Sequence, residues 1–153
     1  MSTVTRRVNA SIDDVFAVLA DGWLYAGWVV GASRMRDVAA EWPNVGATLH
    51  HSVGLWPLLI NDVTTVIEWD PPKRMVLQAK GWPIGEARIV LEAQPRGDGE
   101  CVVRIFEEPT DGPGALVPDL LISPAMKMRN REMLQRLAYL AEGRRDPSSS
   151  NPN

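Results

Sequence analysis

Hydrophobic and polar positions along this chain change period twice. Thr3 to Val8 alternates, as a half-buried strand does, and Asn9 ends it. Beyond it, Ile12, Val15, Phe16 and Leu19 recur at spacings of three and four, which places them on one helical face. Ser11 can cap that helix with Asp14 at its third position, and Asp21 and Gly22 stop it. A second, shorter helix is expected from Trp23 to Trp28, held brief by Gly27 and Gly31.

From Ser33 the period becomes that of strands, with turn residues every eight to twelve positions. Six strands are predicted: Ser33 to Val38, Ala47 to Val53, Asn61 to Trp69, Arg74 to Lys80, Glu86 to Gln94 and Cys101 to Glu107. Pro109 to Pro118 holds three Pro and two Gly and is expected to be a loop. Ser123 as cap and Pro124 as first residue then open a long helix that Gly143 terminates. On its wheel, Met126, Met133, Leu134, Leu137, Leu140 and Ala141 form one stripe. The boundaries implied are one domain over 1–142 and a disordered tail over 143–153, rich in Ser, Pro and Asn. One strand, two short helices, six strands and a long helix make an α+β domain, with a seven-stranded antiparallel sheet curled around the last helix.

Composition narrows the possible partners. At 153 residues the chain has room for one core and a modest cavity. A net charge of -3 leaves no basic surface to neutralise a row of phosphates, so nucleic acid is not an expected partner. Cys101 is the only cysteine, which excludes an intrachain disulfide and a multi-cysteine zinc site and fits a reducing cytoplasm. The first residues lack the apolar core of a signal peptide, and the longest apolar run, Leu55 to Ile60, is far below the roughly 20 residues that span a bilayer. Six Trp stand against two Phe and two Tyr, an excess suited to lining a flat apolar ligand.

Strand parity selects candidate site residues. His51 shares its face with Ala47, Leu49 and Val53 and is expected to point inward, with His50 outward. An imidazole there can bind a ligand carbonyl or act as a general base; the plainer role is a core histidine bonded to a neighbour. Adjacent His50 and His51 cannot turn toward one ion, so no metal is expected. Glu107 follows Val103 and Ile105 in parity and is a second acid/base candidate, or else a rim carboxylate. Asn130 interrupts the apolar stripe of the last helix between Met126, Met133 and Leu137 and must find a partner there. Arg129, Arg131 and Glu132 are expected on a solvated face. Alternate hairpins of a meander share one end of the sheet, so Trp56, Trp82 and the 109–118 loop are expected to form an aromatic mouth, joined by Trp28 with Tyr25 nearby. Plugged loop tips or a dimer contact would use the same tryptophans.

The order of elements resembles the START-like, or helix-grip, superfamily (SRPBCC), which includes polyketide cyclase/dehydrase-like proteins and lipid-transfer domains. Three segments carry the resemblance: Ala10-Ser11-Ile12-Asp13-Asp14-Val15-Phe16 after the first strand, Glu68-Trp69-Asp70-Pro71-Pro72-Lys73-Arg74-Met75 at a hairpin, and Arg129-Asn130-Arg131-Glu132 in a helix ending in Leu137 to Leu140. It implies a cavity between sheet and helix for an apolar or amphipathic small molecule; no cofactor is expected, because the sequence carries no Rossmann glycine pattern, P-loop, HExxH or GxSxG. Its expected lining is Tyr25, Trp28, Leu49, His51, Trp56, Trp82, Glu107, Met126, Asn130 and Met133. A carrier or sequestering role is the leading expectation. A cyclase or dehydratase using His51 or Glu107 is the alternative, a protein-interaction role the third, and the chain is expected to be a monomer or weak homodimer.

Overall fold

A computed structural model describes residues 2–30, 32–53, 60–81 and 85–144. Trp56, Trp82 and positions 145–153 of the expected tail lie outside the described residues. Seven strands form one antiparallel sheet in the order β1-β7-β6-β5-β4-β3-β2. They are β1 (Ser2–Val8), β2 (Ala32–Val38), β3 (Thr48–Val53), β4 (Ile60–Asp70), β5 (Arg74–Gly81), β6 (Gly85–Pro95) and β7 (Cys101–Asp111). Strands β2 to β7 are a meander of hairpins, and β1 returns to pair with β7. Between β1 and β2 lie α1 (Ile12–Ala20), a 3-10 turn (Gly22–Leu24) and α2 (Tyr25–Trp28). The chain closes with α3 (Asp119–Gly143), which lies against β1 and β7 and touches α1 and α2. This is the helix-grip α+β arrangement.

Local chemistry explains most of the boundaries. Ser11 Oγ accepts the Asp14 N–H at 3.1 Å and Asp14 Oδ2 accepts the Ser11 N–H at 3.2 Å, a reciprocal cap that opens α1. Asp21 ends α1, and its carboxylate accepts the Trp23 N–H at 3.1 Å, which starts the following turn. Two boundaries correct the sequence reading. Strand β7 continues through Pro109 to Asp111, where a loop is expected from Pro109 onward. Among the described residues β1 pairs no further than Glu107, whereas β6 still pairs with Pro109 through Ala87, beside an irregularity in the register. Helix α3 begins at Asp119, a full turn before Ser123, and Pro124 lies inside it. The Leu120 carbonyl that loses its partner sits where that side chain is 86% exposed, so water can replace the missing donor.

The core lies between the inner face of the sheet and the helices. Met75, Leu77, Ile89, Leu91, Val103 and Ile105 meet Phe16, Leu19, Met133, Leu134, Leu137 and Ala141, all buried. Ala138 completes the stripe on α3, whereas Leu140 is only partly buried.

A buried polar cluster between sheet and helix

Side chains from β3, β4, β7, α2 and α3 form one polar group inside this apolar core. In β3 the alternation turns Leu49 and His51 inward, and both are buried. His51 pairs in register with Asp62 of β4, so the two side chains leave the sheet on the same face. His51 Nε2 lies 3.4 Å from Asp62 Oδ2, while Asp62 Oδ1 accepts the Lys80 backbone N–H from β5 at 2.9 Å. The carboxylate is thereby fixed between two neighbouring strands. Two positions on, Thr64 is also buried, and its hydroxyl bonds the Tyr25 hydroxyl of α2 at 3.1 Å.

Tyr25 is the hub of the cluster. Its ring centroid lies 4.8 Å from that of His51 and 5.3 Å from that of Trp28, the latter edge-on at 70°. Burial holds its phenol far above the usual range, and the negative charges of Asp62 and Glu107 push the same way, against the Thr64 bond and the Arg129 charge. Tyr25 is therefore a neutral O–H at physiological pH.

Glu107 faces inward at 5% exposure, as the parity of Val103 and Ile105 predicts. It is not a free rim carboxylate. Arg129 of α3 donates through Nη1 to both of its oxygens, at 2.7 and 3.0 Å, and through Nε to the Val30 carbonyl at 3.3 Å. This overturns the expectation that Arg129 belongs to the solvated face of the helix. On the next residue, Asn130 Nδ2 donates to Ser2 Oγ at 3.4 Å, and Ser2 stands opposite Glu107 in the β1–β7 register. Asn130 Oδ1 and His51 Nδ1 are buried and meet no hydrogen-bond partner among the described residues. Each such atom costs about 1–3 kcal/mol.

Trp28 and Tyr25 are core residues, each 2% exposed, and so form an inner wall instead of part of an exposed mouth. They stand three residues apart on the one turn of α2 and so share its buried face. Met126 and Met133 are buried on α3, as expected. The sequence reading missed Asp62, Thr64 and Arg129. In β4 the apolar residues Val63 and Ile67 lie on the outer face, and a bulge between Val66 and Glu68 reverses the alternation, so parity there points the wrong way. Pairing β3 with β4 across their connection would have set His51 against Asp62. Among the described residues, no group of three His, Cys, Asp or Glu side chains is placed to hold a metal, and no helix is long and apolar enough to cross a membrane.

Comparison with known proteins agrees with the fold. A conserved protein from Geobacillus kaustophilus superposes with a TM-score of 0.71 at 11% identity, over 92% of this chain and 94% of its own. A Rhodobacter sphaeroides protein gives 0.65 at 21% identity, over 92% and 91%. A protein encoded in the dynemicin biosynthetic locus gives 0.63 at 19% identity, over 92% of this chain but 46% of that longer one. No curated protein sequence matches the chain. At these identities the superpositions speak for the fold alone. The family model for polyketide cyclase/dehydrase and lipid transport proteins, however, matches residues 2–142, so the chain belongs to that family.

Proposed function

We propose that this protein binds a small hydrophobic or aromatic molecule between the sheet and α3, as a carrier or sequestering protein. One observation carries the reading: two buried polar atoms, His51 Nδ1 and Asn130 Oδ1, have no partner among the described residues, His51 beside the Tyr25 ring and on one strand face with Leu49, Asn130 on the α3 stripe with the buried Met126 and Met133. A largely apolar ligand with a few polar groups suits such a surround. The family description, which joins cyclases and dehydrases to lipid transport, supports it. With it go a single domain over 1–142, a cytoplasmic setting suggested by the lone Cys101, no nucleic-acid partner at a net charge of -3, and a monomer or weak homodimer. Organic extraction of the purified protein followed by mass spectrometry should return one class of small apolar molecule. Re-adding it should change tryptophan emission in the parent and less so in Trp28→Phe. An empty extract, together with no response to any apolar probe, would overturn the proposal.

The His51–Asp62 pair supports a second reading, a cyclase or dehydratase. A carboxylate behind an imidazole is an arrangement for moving a proton. His51 Nδ1 would take a proton from the methylene between two ketones, the enolate carbon would attack a further carbonyl, and the alkoxide formed there would take that proton back from His51. A poly-β-keto thioester offered to the parent should then yield a cyclised product that His51→Phe does not make. Equal product yields in the two proteins would exclude this reading.

A further inference from the structure

We propose that His51, oriented by Asp62, is the specificity-determining residue of this site and selects a ligand that donates an O–H group, a phenol or an enol, to Nδ1. The inference rests on the binding reading above and deepens it. A carboxylate only accepts hydrogen bonds, so the Asp62 oxygen 3.4 Å away places the imidazole proton on Nε2. In the neutral ring that leaves Nδ1 with its lone pair and no N–H. The Lys80 N–H holds Asp62 from the other side, which keeps the carboxylate in place for this role.

Among the described residues, no hydrogen-bond partner reaches Nδ1. Tyr25, whose ring lies alongside, bonds Thr64 through its hydroxyl, and Leu49 on the same strand face is apolar. Nδ1 is thus a buried acceptor, on a side chain 1% exposed, without a donor among the described residues. A molecule with only carbonyl or ether oxygens brings no proton to it and would set two lone pairs against each other. A hydroxylated aromatic ring brings the proton and can lie against Tyr25 and Trp28. Asp62 acts through His51 and is a positioning residue.

The test uses three probes of nearly one shape: 1-naphthol, 1-methylnaphthalene and naphthalene. In the parent protein, 1-naphthol should bind about tenfold more tightly than 1-methylnaphthalene, the worth of one added neutral hydrogen bond. In His51→Phe the preference should vanish while the hydrocarbons still bind. In Asp62→Asn, whose amide can also donate, the preference should shrink. The nitrogen shifts of His51 in the free parent protein should report the Nε2–H form, a readout that requires neither variant to fold. An Nδ1–H form, equal binding of naphthol and methylnaphthalene, or a preference that survives His51→Phe would each overturn this inference and leave the binding reading standing. Failure of all three probes to bind, with an empty extract, would overturn both.

Discussion

Asn130 is a buried amide in the middle of an otherwise apolar helix stripe, with one long bond to Ser2 and an acceptor that no described residue satisfies. Such a residue contributes little to stability, since its desolvation offsets what its one bond returns. Asn130→Leu, close in size and apolar, should therefore change the unfolding free energy by less than about 1 kcal/mol. Its effect on ligand choice should be larger, shifting preference toward less polar molecules. Denaturant unfolding and ligand titration on the same preparation read both quantities. A loss well above that figure with unchanged ligand preference would make Asn130 a structural link between α3 and β1.

At the scale of elements, α3 packs against β1 and β7 of the sheet and against α1 and α2. Its inward stripe of Met126, Asn130, Met133, Leu134, Leu137, Ala138 and Ala141 follows the three-and-four spacing and is buried throughout. Leu137 is 1% exposed, so Leu137→Ala removes a fully packed side chain and should cost about 2–5 kcal/mol. A shift of the urea midpoint equivalent to less than about 0.5 kcal/mol would show that this face does not meet the core. The helix also positions Arg129, one residue before Asn130 and turned about 100° from it, which brings its guanidinium to Glu107 and the Val30 carbonyl. Strand β4 uses its bulge in a similar way. Asp62, Thr64 and Val66 point inward before it and Trp69 points inward after it, where it packs on Phe16 with ring centroids 5.4 Å apart.

For the whole molecule, two buried protons couple folding to alkaline pH. Burial, with the nearby Asp14 charge, pushes the Cys101 thiol from 9.0 up to about 11, and burial holds the Tyr25 phenol well above its ordinary 10.0. In the unfolded chain both groups ionise near their ordinary values. Above about pH 9 the unfolded state therefore binds fewer protons than the folded state, and stability falls as pH rises. The contribution of Cys101 is complete below about pH 9 and is lost progressively toward about pH 11; that of Tyr25 begins to fall about one unit higher. Urea unfolding between pH 8 and 11 should show this decline, with a shallower slope in Cys101→Ala and in Tyr25→Phe. A flat profile, or one that neither variant changes, would remove the linkage.

Periodicity and turn residues alone were enough to read seven strands, the short helices, the Ser11 cap, the inward faces of His51 and Glu107, and the buried stripe of α3. These features depend on spacing within a few residues, which the chain itself carries. The start of α3 and the end of β7 were misread because the missing N–H of Pro breaks an element only where the group left without a donor cannot be satisfied otherwise. Pro109 is kept in β7 by its pairing with Ala87 of β6, and the carbonyl freed by Pro124 belongs to the exposed Leu120. The polar cluster was only half legible for a different reason. Asp62, Thr64 and Arg129 become its members through the β3–β4 register, the β4 bulge and the placement of α3 against β7, and no local pattern encodes those relations. Tyr25 likewise meets His51, Thr64 and the charges of Glu107 and Arg129 only when strands and helices far apart in sequence close on one another. Element type follows from short-range sterics and burial period, whereas a site follows from which side chains the tertiary fold forces to share one desolvated space.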